Sequence, residues 1–257
     1  MTGPAREDSH TELPRTAQVR RPRRFLLNSP LRPLARFVIR RRIRVRQHAT
    51  DQIPDRGPVI FAGNHLGVAD GPLLAIFAPR PVHALTKEEM FDGRLGGFLL
   101  AAGQIRLDRF QADPGGVKTC LRVLRDGLTV GIFPEGSRGA GTLERFHRGA
   151  AYFALVTGAT VVPVSFFGTR EPGAGSNALP PRGGVVDIVY GEPFHLDRSP
   201  WPRTREQVEK ASLLLREHML VQLDRARAST GRDLPGPLPA TDVDPDPATG
   251  VTDQGAP

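Results

Sequence analysis

Cysteine is almost absent from this chain: Cys120 stands alone. A single thiol excludes an internal disulfide and a cysteine-based metal site, and it fits a reducing compartment. With Val117, Leu121 and Leu124 around it at helical spacing, Cys120 reads as a small core residue. Aromatic residues are also few, 6% of the chain with one tryptophan and two tyrosines. Apolar runs never approach the ~20 residues that cross a bilayer as a helix. Arg23-Arg24-Phe25-Leu26-Leu27 resembles the start of an export signal, but Arg32 and Arg36 interrupt any apolar core behind it. Negative charge is missing from one region in particular. No aspartate or glutamate lies between Glu12 and Asp51, while arginines from Arg15 to Arg46 crowd that interval. The net charge of +8 is thus concentrated towards one end, which suits a polyanionic surface, either anionic lipid or nucleic acid. Too few aromatics stand among those arginines for base stacking, so nucleic acid is not the expected partner.

What is present is an alternation of apolar runs. Val59-Ile60-Phe61-Ala62, Val82 to Thr86, Leu128 to Phe133, Thr160 to Phe166 and Val185 to Tyr190 read as strands, most of them buried. Ile43 to Arg46 alternates apolar and basic residues, as an edge strand does, and Ile105 and Leu107 mark a short strand ending at Arg109. Between them, helical spacing covers Pro30–Arg40, Leu73–Ala78, Met90–Ala102, Pro114–Asp126 and Phe146–Gly158. A last helix opens at Thr204 and Gln207, which form a capping-box pattern, and stops near Gly231. Pro163 within an apolar run suggests an edge strand or a bulge. Strands alternating with helices predict one α/β domain. The helix from Pro30 sets Leu31, Leu34, Ala35 and Val38 apart from Arg32, Arg36 and Arg40, a basic amphipathic pattern that suits a membrane surface. Equally, such a helix packs on its own domain and shows its arginines to water.

Polar groups follow the core strands. Gly63-Asn64-His65-Leu66-Gly67-Val68-Ala69-Asp70 joins an apolar strand to an apolar helix, where α/β proteins place their chemistry. At about 100° per residue, two positions five apart on one helix point roughly 140° away from each other. His65 and Asp70 therefore meet only if the chain turns between them, a turn that Gly67 makes easy. The residues alone leave two readings: Asp70 caps the following helix, or its carboxylate orients His65 so that the free ring nitrogen accepts a proton. Beside His65 stands no serine suited to act as the enzyme's nucleophile, so any attacking hydroxyl belongs to a substrate. Lys87, Arg109 and the turn Glu135-Gly136-Ser137-Arg138 follow other strands and suit a phosphate. Arginine's fork holds such an anion in one orientation, and Glu135 is better placed to position an arginine or a substrate hydroxyl.

In order, these blocks resemble those of the glycerolipid acyltransferases, particularly the bacterial 1-acylglycerol-3-phosphate acyltransferases. Asn64-His65-Leu66-Gly67-Val68-Ala69-Asp70 is similar to their NHxxxxD motif and Gly103 to Arg109 to their second block. Phe133-Pro134-Glu135-Gly136-Ser137-Arg138 resembles FPEG(T/S)R, and Val161-Val162-Pro163-Val164 the fourth block. A histidine motif alone is a weak signal; four blocks in order are specific. The resemblance covers roughly residues 45–195.

It implies that His65, oriented by Asp70, is a general base for the free hydroxyl of a lysophospholipid attacking an acyl thioester, either acyl-CoA or acyl-carrier protein. Lysophosphatidic acid is the expected acceptor and phosphatidic acid the product, with no cofactor or metal. The implied substrate-binding residues are Asn64, Lys87, Arg109, Glu135, Gly136, Ser137 and Arg138. The chain departs from the family at Leu66-Gly67-Val68-Ala69, where a serine or threonine is frequent, and at Arg106. Another acceptor, such as glycerol 3-phosphate, a glycolipid or an amine-bearing lipid, is the alternative within the enzyme class. Outside it stands a lipid- or nucleic-acid-binding protein that uses the basic arm. The expected architecture is a single mixed-sheet acyltransferase domain over residues 30–231, with a disordered basic arm over 1–29 and a disordered tail over 232–257. The expected location is the cytoplasmic face of the cell membrane, held peripherally on its anionic surface, with acyl-carrier protein as a candidate partner.

Overall fold

The apolar runs become strands β1 (Arg44–His48), β2 (Val59–Gly63), β3 (Val82–Lys87), β4 (Ile105–Leu107), β5 (Thr129–Ile132), β6 (Thr160–Phe167) and β7 (Val185–Tyr190). They form one sheet in the order β1-β7-β6-β2-β5-β3-β4, parallel at every pairing except the antiparallel pair β6 and β7. The structure is a computed structural model that describes residue 16, residues 19–23, residue 26 and residues 30–242. Most of the arm expected over 1–29, and the tail from 243 onward, lie outside the described residues. Of the arm's described residues, Thr16 is buried and Arg21 pairs with Asp126, so these lie against the domain.

Side chains alternate between the two faces of the sheet, as the pleat requires. Val59 and Phe61 of β2 pack with Leu73, Leu74 and Phe77 on one face, while Ile60 and Ala62 pack with Leu121, Leu124, Phe153 and Leu215 on the other. The first face is covered by α1 (Leu31–Arg42) and α2 (Asp70–Phe77); α3 (Gly93–Ala101) follows β3. Covering the second face are α4 (Pro114–Arg125), α5 (Gly149–Thr157) and α6 (Arg205–Thr230). Gly131 of β5 lets α2 approach the sheet, since a Cβ there would meet Leu74 Cδ2 of that helix at 3.1 Å and Val82 Cγ1 of β3 at 2.8 Å. The boundary signals read from the sequence hold. Thr204 and Gln207 form both halves of a capping box, and Gly231 ends α6 in the left-handed region.

One expectation is narrowed and two are corrected. First, Pro163, expected on an edge strand or at a bulge, sits at a bulge inside the interior strand β6. Its carbonyl accepts from Gly191, and the register with the returning chain slips by one residue between Val164 opposite Tyr190 and Val161 opposite Phe194. The missing N–H of proline thus falls at a bulge, where it leaves no ladder bond unmade. Second, α1 faces the domain with its arginines. Arg32 donates to the carbonyls of Ala75, Ile76, Ala78 and Arg80, and Arg36 to those of Ile76, Phe77 and Ala78. These carbonyls end α2 and lack donors within the helix, so two guanidinium forks satisfy them. Leu31, Leu34, Phe37 and Val38 are left 48–58% exposed. Third, the ordered chain continues past 231. Leu234 packs on the core, Gly236 accepts from Arg170, and Asp242 accepts from both the amide and the hydroxyl of Ser176.

Candidate active site

With β2, β3, β4, β5 and β6 running in one direction and β1 and β7 in the other, the carboxyl ends of those five strands share one rim, and the turns that leave them carry the candidate residues. β2 ends at Gly63, and the chain turns through Asn64–Ala69 before α2 begins at Asp70. Asp70 does not cap its helix: the N-cap is Ala69, without a side-chain cap bond. Instead its Oδ2 accepts from the amides of Leu66 (2.7 Å) and Gly67 (2.9 Å) and lies 2.9 Å from His65 Nδ1. The carboxylate organises the turn that precedes it, and that turn brings His65 within reach. Gly67 is not among the residues with positive φ, so the turn rests on these bonds and not on glycine's special freedom.

Hydrogen-bond direction follows from the donors. Two of the three groups on Oδ2 are amides, which only donate, so the buried carboxylate is an acceptor and Nδ1 carries the ring proton. Nε2 is then the basic nitrogen of the neutral ring. Among the described residues it has no hydrogen-bond partner, and the side chain is 20% exposed. Phe133 stacks on the imidazole with centroids 4.3 Å apart and planes 22° from parallel, which shields one face of the ring. The arrangement can take a proton from a hydroxyl at Nε2 and hold the resulting imidazolium beside a carboxylate.

The third block supports this histidine from below. Glu135, only 6% exposed, accepts from the His65 amide at 2.8 Å, and Gly139 N donates to the His65 carbonyl at 2.9 Å. Burial pushes the Glu135 carboxyl up to about 8; the amides of His65 and Leu143 oppose the rise, while Asp70 and Glu144 add to it. Glu135 is therefore inside the site's foundation, not on the face where an arginine or a substrate hydroxyl was expected. Asn64 is corrected in the same way. It is 1% exposed, its Nδ2 donates to the Phe166 carbonyl (3.3 Å) and its Oδ1 accepts from the Phe166 amide (2.7 Å). Its side chain ties the turn to β6.

The cationic residues gather around the same rim. Gly136 has φ +72°, a left-handed value that favours glycine, and its carbonyl accepts from Arg109 Nη1 at 2.5 Å. Second and third blocks thereby meet directly, and Ser137, next after Gly136 in the chain, is buried. Arg138 reaches the loop after β6, donating to Asn177 Oδ1 (2.8 Å) and the Ser176 carbonyl (3.3 Å). Lys87, the last residue of β3, is in register with Leu107, two positions before Arg109. Among the described residues no group of three His, Cys, Asp or Glu side chains could hold a metal ion, and no helix is long and apolar enough to cross a membrane.

One residue of the site was not anticipated. Arg170, 1% exposed, lies in the loop after β6 and donates to the carbonyls of Leu66, Gly139, Ala174 and Gly236. Its only trace in the sequence is a charge two positions past the glycine that closes an apolar strand, Gly168-Thr169-Arg170.

Comparison with known proteins converges on one family. The Acyltransferase family model matches residues 44–167, from the first residue of β1 to the last of β6. The 1-acyl-sn-glycerol-3-phosphate acyltransferase of Bacillus subtilis is 29% identical over 153 residues, which cover 59% of this chain and 74% of that protein. The protein of that name from Borreliella burgdorferi is 31% identical over 127 residues, 48% of this chain and 50% of the relative. Among solved structures, the 1-acyl-sn-glycerophosphate (LPA) acyltransferase PlsC from Thermotoga maritima shares the fold, with a TM-score of 0.54 at 21% identity over 74% of this chain and 73% of the other. A family model matched from β1 through β6 and relatives of one name together make residues 44–167 an Acyltransferase-family domain and support an enzyme that transfers acyl groups.

Proposed function

We propose that this acyltransferase esterifies the free hydroxyl of a lysophospholipid, with lysophosphatidic acid as acceptor, phosphatidic acid as product and acyl-CoA or acyl-carrier protein as thioester donor. The observation that carries the proposal is His65: its Nδ1–H is held by a buried carboxylate, its Nε2 is the basic nitrogen of a ring that is 20% exposed, and a cationic rim adjoins it. In the proposed step Nε2 takes the hydroxyl proton as that oxygen attacks the thioester carbon. The carbon–sulfur bond breaks, the leaving thiolate takes the proton back from the imidazolium, and ester and thiol depart. General-base catalysis of this kind contributes ~10²–10⁴-fold, with the positioning of two substrates supplying much of the rest. No acyl-enzyme is needed. Arg109 and Arg138, with Lys87, Ser137 and the Gly136 turn, are assigned to the acceptor's phosphate. Asn64 and Glu135, whose side chains bond backbone, are assigned to holding His65 in place.

The placement of α1 supports a peripheral site on an anionic membrane, on the cytoplasmic face. Its arginine caps anchor the helix to α2, so the apolar residues Leu34, Phe37 and Val38 point away from the domain, beside the exposed Arg40, Arg41, Arg42 and Arg44. An outward apolar face rimmed by cations fits the boundary of an acidic bilayer. The test of the acceptor is an acyl-transfer assay of the purified protein with lysophosphatidic acid, glycerol 3-phosphate, a lysoglycolipid and an amine-bearing lipid, each with acyl-CoA and acyl-carrier protein. Phosphatidic acid as the fastest-formed product is the expected result; efficient acylation of another acceptor instead would refute the assignment.

A further inference from the structure

The turn that carries His65 is held on every side, and one residue outside the four sequence blocks joins its two halves. Arg170 Nε donates to the Leu66 carbonyl at 2.8 Å, and Arg170 Nη2 to the Gly139 carbonyl at 3.0 Å. Leu66 is the residue after His65, and its amide is one of the donors on Asp70. Gly139, through its own amide, holds the carbonyl of His65 itself. The remaining guanidinium bonds run to Ala174 at 3.0 Å and to Gly236, past the last helix, at 2.5 Å. One planar fork thus fixes the first block, the third block, the loop after β6 and the segment after α6.

Four carbonyls surround the buried guanidinium and, among the described residues, no carboxylate is in direct contact with it, a costly arrangement for an ion merely filling space. The charge is compensated at longer range by Asp70 and Asp242, and burial still draws the group below the usual arginine range. Lysine could not make the same set of bonds, because a single ammonium is a point donor and these acceptors diverge. We propose that Arg170 is a positioning residue for acyl transfer: its guanidinium sets the relative placement of the Leu66 and Gly139 peptides and thereby the aim of His65 Nε2. Substrate is not touched by it. Misplacing a reacting group by about 1 Å can cost on the order of 10²-fold in rate.

This inference rests on the reading of His65 as general base, and the two fail separately. The experiment compares wild type, Arg170→Lys, Arg232→Lys and His65→Ala, using whichever acceptor the wild-type enzyme acylates, at a temperature well below every melting point. Arg232 also ties two segments together, bonding the Val185 carbonyl and the Asp187 carboxylate on β7, away from the His65 turn, and so reports loss of stability alone. Expected is a fall of ~10–100-fold in kcat for Arg170→Lys, with both KM values within about twofold of wild type, and no such fall for Arg232→Lys. Faster amide exchange in residues 65–70 and 134–141, together with the loop after β6 and the segment after α6, accompanies it. A kcat within twofold of wild type, a change carried by KM, or an equal kcat loss in Arg232→Lys overturns the proposal. Full activity in His65→Ala overturns the general-base reading instead. Should Arg170→Lys not fold, Arg170→Gln, which buries no charge, is measured against the same criteria.

Discussion

Replacing Glu135 with glutamine separates a buried acid from a substrate ligand. Glutamine keeps an oxygen for the His65 amide but has no proton to lose. In the native protein burial raises the Glu135 carboxyl from 4.5 to about 8, so this group is protonated in the folded chain over a range where the unfolded chain has already ionised it. The sign follows: its contribution to stability is complete below about 4.5 and is lost as pH rises through about 8. A gap of about 3.5 pH units, at about 1.4 kcal/mol each, sets an upper limit of roughly 5 kcal/mol on that loss. Local relaxation lowers it further; the two amide donors are already contained in the value of about 8. Urea unfolding of wild type and Glu135→Gln at pH 5, 6, 7, 8 and 9 provides the assay, and the difference between the two curves isolates Glu135 from Asp70, Glu144 and all other titrating groups. Wild type should lose a few kcal/mol relative to the variant between pH 5 and pH 9. Parallel stability curves would refute the reasoning, because they would mean that Glu135 is ionised and solvated in the folded protein. Catalysis sharpens the contrast. Glu135→Gln should retain turnover within about tenfold, whereas Glu135→Ala strands the buried amide of His65, a loss of about 1–3 kcal/mol.

Asp70→Asn keeps an acceptor for the two amides but removes the charge beside the ring. Its kcat should fall by ~10²–10⁴-fold in steady-state assays, and a loss of less than tenfold would count against the orienting role. Arg138→Ala should raise the acceptor KM by about 10–100-fold, the value of a charged hydrogen bond of about 1.5–3 kcal/mol, and leave the donor KM unchanged; the reverse pattern would move Arg138 to the donor side. Phe37→Ser with Val38→Ser alters residues that contribute nothing to the buried core. It should leave the melting temperature within about 2 °C of wild type, a surface change of about 0.5 kcal/mol or less, while sedimentation with vesicles containing anionic phospholipid drops. Unchanged sedimentation would remove α1 from the membrane.

Much of this was legible because burial writes itself into pattern. β2 and β5 are covered on both faces and therefore read as unbroken apolar runs, Val59 to Ala62 and Leu128 to Phe133. The capping box at Thr204 and Gln207 is local, so its residues carry the whole signal. Three of the four blocks follow the carboxyl ends of the parallel strands β2, β4 and β5 and the fourth lies within β6, and their resemblance to a family located the site. What escaped was set by partners distant in sequence. Helical spacing separates the arginines of α1 from its leucines without saying which face turns inward; the orphan carbonyls at the end of α2 decide that. Asn64 and Glu135 have the chemistry of ligands, and only the fold shows β6 and the His65 amide meeting them. Arg170 gathers four carbonyls from four separate segments, a clustering that no window along the chain contains. The continuation past Gly231 followed from the same cause, since a run rich in proline and glycine says nothing about the Gly236 carbonyl that Arg170 needs.

The central claim is that His65 Nε2, held by Asp70, activates a lipid hydroxyl for attack on an acyl thioester. Its most direct test is a time course of phosphatidic acid formation from lysophosphatidic acid and acyl-CoA by purified wild type and His65→Ala, with circular dichroism confirming that both are folded. Wild type should form product steadily, and the variant should lose at least ~10²-fold in kcat. Turnover by His65→Ala close to that of wild type would contradict the claim.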